Sequence, residues 1–300
     1  MDQSTKTGII YALAAFSFWG FAPIYFKAIG HINSFEIVAN RVLWSVLLLA
    51  ILITTIKQWP RVRLVFNNPR NLATLLITTA LIGVNWSIFI WSVNNDRMLE
   101  SSLGYYINPL VNVLLGFVFL GECLNRIQWL AVALAVVGVA IQVFSLGYLP
   151  WISLSLAFSF GLYGLLHKRT PTDSVTGLFI ETLLLAPVSA IYMAWLFHQG
   201  TGPAVHTATD WSLLLLAGPV TTLPLLWFSS AAKRLRLTTI GFFQYIGPSI
   251  MFLLAVFVYG ESLNFDKLLT FIFIWTALLI FSLNAMRESS LRRKQLPTIL

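Results

Sequence analysis

Ten apolar stretches of about twenty residues each run through this chain of 300 residues. A helix needs about twenty apolar residues to cross roughly 30 Å of hydrocarbon. Strands of a membrane barrel would be about ten residues long, with apolar and polar positions alternating, and the chain shows no such alternation. The pattern therefore predicts an all-α membrane protein with ten transmembrane helices. The stretches lie near residues 8–29, 35–56, 72–94, 101–121, 127–144, 148–168, 176–198, 211–232, 238–260 and 266–285.

Composition and loop lengths agree with this architecture. Only 10% of the residues are charged, whereas a soluble domain carries about a quarter. The connections range from three residues around Gly147 to fifteen around Pro60 and Pro69, which leaves no room for a soluble domain. The first stretch follows a single lysine, as a secretory signal does, but the Ala12–Leu13–Ala14 run lies inside it. We therefore predict an uncleaved span.

The basic residues that flank the helices are distributed unequally. Of the 19 lysines and arginines, 15 lie on the side of the N-terminus; Lys27, Arg97 and Lys267 lie on the other side, and Arg41 lies within the second stretch. Because basic loops are retained in the cytoplasm, both termini are predicted to be cytoplasmic. This topology also explains the net charge of +8, so we expect no nucleic-acid partner. The fifteen are Lys6, Lys57, Arg61, Arg63, Arg70, Arg126, Lys168, Arg169, Lys233, Arg234, Arg236, Arg287, Arg292, Arg293 and Lys294.

The sequence lacks the residue patterns that are typical of soluble enzymes. Cys123 is the single cysteine, which excludes an internal disulfide and a cysteine-based metal cage. His31, His167, His198 and His206 fall near predicted helix ends and are interpreted as interfacial residues. The chain has no Gly-rich phosphate loop, nucleophile elbow or zinc-protease pattern. We therefore expect no catalytic residue, no metal and no cofactor, and predict that the protein is not an enzyme.

Three short motifs recur in the same order along the chain. The run 104–109 (GYYINP) resembles 241–248 (GFFQYIGP), and 121–125 (GECLN) resembles 260–264 (GESLN). The run 15–18 (AFSF) recurs at 157–160. These matches predict two halves of five spans, residues 1–145 and 146–286, followed by a basic tail at 287–300.

Five spans are an odd number, so the second half must enter the membrane from the opposite face. Two halves that are related in this way can rock against each other around a central site, which gives alternating access. The repeat therefore favours a transporter over a receptor or a scaffold.

The motifs at 104–112 and 241–248, the Gly-Glu pairs that end spans four and nine, and the 5+5 arrangement resemble the drug/metabolite transporter superfamily. More narrowly, the chain is similar to EamA-type transporters of the RarD branch over essentially its whole length. The resemblance implies a carrier in the bacterial inner membrane that moves small organic metabolites or drugs. It also implies a central cavity lined mainly by spans 1, 3, 4, 6, 8 and 9. The first span has no acidic residue, unlike that of the small four-span relatives, so proton coupling by that route is not expected.

Polar and aromatic side chains form stripes on spans three, four, eight and nine. Pro109 and Pro248 occupy equivalent positions in the two halves, and matched interruptions of this kind point to a binding site. Small polar residues also hold membrane helices together without touching a ligand, so each stripe has a packing interpretation as well. The candidate substrate-binding residues are Asn85, Trp86, Tyr105, Asn108, Pro109, Asn112, Trp227, Gln244, Tyr245 and Pro248.

Three charged residues lie within predicted spans, where each costs about 2.5–3.5 kcal/mol at mid-helix. Glu36 and Arg41 lie in span two, and Glu181 lies in span seven. In a structural interpretation these charges pair with each other or with neighbouring helices to stabilise a gate. In a functional one, Glu36 or Glu181 is a proton site, or Arg41 anchors an anionic substrate.

The sequence leaves three functions open. A secondary carrier is favoured, a passive channel or pore is the first alternative, and a lipid-handling intramembrane protein is the second. The expected partners are a small-molecule substrate and the lipid bilayer. Ala131 and Ala135 on span five form a small-xxx-small pair that would suit helix packing or a homodimer.

Overall fold

The computed structural model describes residues 3–94, 98–147, 149–202, 206–258 and 265–295. Within these ranges the regular structure is helical and no β-strand occurs. The helices are α1 (Gln3–Ala28), α2 (Ser34–Thr55), α3 (Trp59–Phe66), α4 (Pro69–Asn94), α5 (Met98–Leu120), α6 (Arg126–Leu146), α7 (Trp151–Arg169), α8 (Ser174–His198), α9 (Ala208–Arg234), α10 (Leu237–Gln244), α11 (Ile246–Leu253) and α12 (Phe265–Gln295).

Each predicted apolar stretch overlaps a helix, and the all-α prediction is confirmed. Among the described residues, eight helical segments are long and apolar enough to cross a membrane. The apolar part of α12, Leu268–Asn284, is shorter than these eight, and α7 is not among them. The count of ten spans and the side of the termini stay predictions. The repeat motif at 260–264, Arg97 and the end of the tail at 296–300 lie outside the described residues.

The fifteen-residue connection predicted around Pro60 contains a short helix, α3. Val62 and Val65 lie one turn apart on its buried face, whereas Arg61 and Arg63 are exposed. A helix of eight residues with this mixed pattern is too short and too charged to be recognised in the sequence as a membrane span.

The ninth predicted stretch is divided into two helices. α10 ends at Gln244, and Tyr245 separates it from α11, which continues into a π-helical turn at Leu254–Val258. Pro248 has no N–H with which to bond the carbonyl of Gln244 four residues earlier, so the helical ladder is interrupted there. Pro109, its sequence counterpart, lies inside the continuous helix α5. The two matched prolines therefore have different effects on their helices.

The centre of the molecule is built by helices from both ends of the chain. α5 packs between α7 and α10, and α1 packs against α9 and α11. Trp19 of α1, Phe160 of α7 and Phe228 of α9 meet in one aromatic cluster, in which the ring centroids of Phe160 and Phe228 are 4.9 Å apart. The N-terminal and C-terminal helices therefore share a core.

α6 and α12 pack against each other beside this core. Ala131 and Ala135 are fully buried in a cluster that includes Ala277 and Phe281 of α12, and Leu130 and other large apolar residues on the outer face are exposed. The small-xxx-small pair therefore serves packing within the chain, and it is not available to a second copy.

Glu122 connects the end of α5 to the beginning of α10. Its carboxylate is 8% exposed and accepts hydrogen bonds from the backbone amides of Leu237 and Thr238 at 2.7 and 2.8 Å. A carboxylate at a helix N-terminus satisfies amides that lack a partner within the helix and interacts favourably with the helix dipole. The Gly-Glu motif thus fixes α10 to α5.

We expect Glu122→Ala to lower the free energy of unfolding by about 1–3 kcal/mol, because two buried amides lose a charged acceptor. Arg236→Ala is the control, since the Arg236 guanidinium is exposed and lies 3.9 Å from Glu122. Unfolding of the purified protein in detergent measures both variants. A loss for Glu122→Ala no larger than that for Arg236→Ala would contradict the capping role.

The crossing of α5 and α10 depends on a glycine. A Cβ atom at Gly241 would lie 2.5 Å from the carbonyl oxygen of Pro109, whereas one at Gly83 would meet nothing outside its helix closer than 3.4 Å. We therefore expect Gly241→Ala to destabilise the protein by about 1–3 kcal/mol through overpacking. Gly83→Ala should leave the melting temperature unchanged or higher. Equal melting temperatures for the two variants would show that the crossing tolerates the added methyl group.

Candidate functional site

An amide cluster joins α5 to α10 in the buried middle of the molecule. The Gln244 Nε2 donates to the Asn108 Oδ1 at 2.5 Å, and the Asn112 Nδ2 donates to the same oxygen at 3.3 Å and to the Gln244 Oε1. The Asn108 Nδ2 donates to the carbonyl of Ala157 in α7 at 2.9 Å. Three of the predicted site residues, Asn108, Asn112 and Gln244, therefore form one cluster of hydrogen bonds between helices.

Asn85 makes a comparable connection between α4 and α7. Its Nδ2 donates to the carbonyl of Leu156 at 3.0 Å and to the Ser159 Oγ at 2.9 Å. Buried amides in hydrocarbon need such partners, whether or not a ligand is present. These contacts agree with the packing interpretation, and a role in substrate binding stays a prediction for these residues.

Four other predicted site residues take no part in the hydrogen bonds of the amide cluster. Tyr245 is buried, and its hydroxyl has no hydrogen-bond partner in the described part of the chain. Trp227 packs edge-on against Phe18 with 6.0 Å between ring centroids. The carbonyl of Pro109 lies against Gly241, and Pro248 is buried beside the helix break.

Trp86 and Tyr105 belong to a second cluster, which surrounds Arg41 and which we call the arginine site. The Arg41 Nε donates to the Thr221 Oγ1 at 2.8 Å. The guanidinium lies over the rings of Trp86 and Phe26, 4.8 and 5.6 Å from their centroids. Tyr105 is 44% exposed, and its hydroxyl interacts electrostatically with the Arg41 guanidinium. Helices α1, α2, α4, α5 and α9 all contribute to this site.

The arginine site lies well inside the helices. Arg41 is seven residues from the first residue of α2, and Tyr105 is seven from the first residue of α5. At about 1.5 Å per residue, each lies about 10 Å along its helix. Asn108 follows Tyr105 by three residues, so the amide cluster lies about one turn deeper than the arginine site.

Among the side chains that the structure describes, Arg41 has no acidic partner, and no carboxylate oxygen of these side chains lies within 4 Å of its guanidinium. Glu36 is bound instead by the Nε2 of His206 at 2.6 Å, and Gly202, with φ 60°, lies against the Glu36 carboxylate. The structure therefore does not pair Glu36 with Arg41.

Glu181 is the centre of a third cluster. It is 1% exposed and is contacted by the Nε2 of His167 at 2.8 Å, by the Tyr163 hydroxyl at 3.1 Å and by the Thr78 hydroxyl. These residues come from α4, α7 and α8, so the carboxylate connects three helices. We call this group the Glu181 cluster.

The histidines are the functional candidates that the sequence interpretation missed. His167 is 2% exposed, and the interfacial interpretation is wrong for it. His206 contacts Glu36 across 170 positions, and His31 contacts Asp210 across 179 positions, at 2.8 Å. No spacing rule links partners so far apart, so the sequence carries no signal for these pairs. Within the described residues, no three His, Cys, Asp or Glu side chains are placed to hold a metal ion.

Comparisons with known proteins agree with the architecture. The sequence model of the EamA-like transporter family matches residues 6–144 and again residues 149–283. A protein named "Uncharacterized transporter" from Vibrio cholerae is 53% identical over 98% of this chain and 97% of its own length. Protein RarD from Escherichia coli is 49% identical, covering 94% of this chain and 96% of its own.

One crystal structure has the same fold, with a TM-score of 0.72 at 17% identity, and the match covers 95% of this chain and 99% of that one. The resemblance to EamA-type proteins of the RarD branch is confirmed by the family match and by the relatives. The protein is a multi-pass membrane transporter, and the chain belongs to the EamA-like transporter family.

Proposed function

We propose that the protein is a secondary carrier that moves small organic metabolites or drugs across the bacterial inner membrane. In this proposal ten spans form two inverted halves, residues 1–145 and 146–286, with both termini in the cytoplasm. Transport follows from the family, and the two separate family matches support the two halves. Alternating access between the halves is the mechanism that such a repeat supports.

The observation that carries this proposal is that equivalent helices pack unequally. With α1, α2, α4, α5 and α6 as the first half, α1 and α4 correspond to α7 and α9 of the second. α7 packs against α9, whereas α1 and α4 have almost no contacts with each other within the described residues. The two halves share a sequence pattern but pack differently. A carrier that occupies one of its two conformational states would show this difference.

The closely packed end lies where α7 and α9 finish. The ring of Phe228 would be 3.1 Å from a Cβ atom at Gly164, and the Lys168 ammonium donates to the carbonyls of Ala232 and Leu235. Lys233 donates to the carbonyl of Thr172. The Glu181 cluster also lies in this part of α7 and α8. By the distribution of basic residues this end is cytoplasmic, and we call it the cytoplasmic seal.

In this proposal, the opposite end gives access to the arginine site. Tyr105 is half-exposed there, and Arg41 is partly exposed. In the proposed orientation this end faces the periplasm, so the state is outward-open. A continuous pore would need both ends open at once, and the packed cytoplasmic seal favours the carrier.

Accessibility of introduced thiols tests alternating access. In a Cys123→Ser background, which removes the exposed native thiol, Tyr105→Cys should react with an impermeant maleimide from the periplasmic side. Ser229→Cys, at a fully buried position near the end of α9, should react only from the cytoplasmic side. Blocking Tyr105→Cys with a bulky maleimide should suppress labelling of Ser229→Cys in the double variant. Independent labelling of the two positions would indicate a channel.

The Glu181 cluster should stabilise the sealed state. Glu181→Gln removes a charged acceptor from His167, Tyr163 and Thr78, and hydrogen bonds to charged groups contribute about 1.5–3 kcal/mol. We therefore expect labelling of Ser229→Cys from the cytoplasmic side to increase about tenfold, because 1.4 kcal/mol changes a population ratio by that factor.

Glu36→Gln is the matched control for that experiment. It alters a carboxylate that also has a histidine partner but lies near the beginning of α2, at the opposite end. It should not increase labelling of Ser229→Cys. Unchanged labelling in folded Glu181→Gln would contradict a role of the Glu181 cluster in the seal.

A further inference from the structure

We infer that the arginine site binds the negatively charged group of an organic anion, and that the transported substrate is therefore an anion with an apolar or aromatic portion. This inference rests on the proposed carrier function and specifies its substrate class.

The first support is the missing counter-charge. Two buried acidic side chains that the structure describes have their own partners: Glu36 has His206, and Glu181 has His167. Arg41 has no carboxylate within 4 Å among the described residues. A cation held in a low-dielectric interior without an anion is costly, and such residues in membrane spans mark substrate and ion pathways.

The second support is the hydrogen-bonding capacity that Arg41 retains. Its Nε is used by Thr221, and its two terminal nitrogens make no hydrogen bond to the described part of the chain. A guanidinium presents its donors in a planar fork that matches the two oxygens of a carboxylate or phosphate. The structure therefore leaves the fork available to a ligand.

The third support is the aromatic surroundings. Trp86 and Phe26 hold the guanidinium through cation–π contacts, so its position does not depend on an acid. Tyr105 pairs with Phe89 at 6.3 Å between centroids and is half-exposed. These two rings provide an apolar surface beside the charge, which suits an amphipathic organic anion better than an inorganic ion.

The fourth support is the position of the site between the proposed halves. Arg41 and Trp86 come from the first half, and Thr221 comes from the second. A ligand held here would contact both halves at the place where they must move relative to each other. The amide and Glu181 clusters contain no cation without an acidic partner, and most of their polar atoms bind one another.

Binding to the purified protein tests the inference without transport. The probes are 3-phenylpropionate and phenyl phosphate, with neutral 3-phenylpropanamide and cationic 3-phenylpropylammonium as matched compounds. A ligand that binds only the folded state raises the melting temperature. We expect the two anions to stabilise the wild type in a saturable way, and the amide and the ammonium compound to give no shift.

Substitutions then assign the effect to Arg41. Arg41→Gln should weaken anion binding about ten- to hundredfold, as loss of a charged hydrogen-bond partner does, and Arg41→Lys should give an intermediate affinity because it keeps the charge without the fork. Without ligand, Arg41→Gln should melt at or above the wild-type temperature, because it removes an uncompensated charge. Arg234→Gln is the control, since Arg234 lies 5.5 Å over Tyr11 and is exposed at the cytoplasmic end.

The inference is overturned if neither anion shifts the wild type, if the amide binds as tightly as the carboxylate, or if Arg41→Gln binds the anions like the wild type. A purely structural Arg41 would instead show lower stability in the glutamine variant and no discrimination by charge. Counter-exchange of labelled 3-phenylpropionate in proteoliposomes separates the two proposals. Arg41-dependent binding without saturable exchange would support the anion site and contradict the proposed carrier function.

Discussion

Hydrocarbon offers no hydrogen bonds, so polar groups inside the spans are stabilised by partners within the protein, and this constraint decides how many of the helices pack. Asn108, Asn112 and Gln244 bind one another across α5 and α10, and Glu122 satisfies the first amides of α10. These contacts set which helices cross and at what height. The packing of these helices is therefore a consequence of which polar side chains on neighbouring helices bind each other.

The same constraint explains what the sequence could predict. Apolar length is a property of a single segment, so the stretches near 35–56 and 176–198 matched α2 and α8 closely. The break at Tyr245 was missed because a proline in a span either interrupts its helix, as Pro248 does, or lies inside a continuous one, as Pro109 does. Nothing local to those residues distinguishes the two outcomes, which depend on the helices packed around them.

The residue types of the candidate site could be predicted from the sequence, but the contacts that these side chains make could not. Asn85, Trp86, Tyr105 and Arg41 were recognised as polar or aromatic groups inside spans, but the structure divides them between separate clusters. Glu36 and Arg41 are five residues apart, which places them about 140° apart around one helix. The two side chains therefore contact different helices or loops. Glu36 contacts His206, 170 positions away in sequence, and Arg41 contacts Thr221, 180 positions away.

Under the proposed carrier function, an arginine that no described carboxylate contacts would also couple binding to movement of the two proposed halves. Closing both ends around an empty arginine site would bury a charge without a counter-ion, which costs several kcal/mol. An anionic substrate supplies the missing charge, so the loaded site can be occluded at lower cost than the empty one. The carrier would then change sides mainly when occupied. Glu36 and Glu181 do not compete with the substrate for Arg41, because they contact His206 and His167.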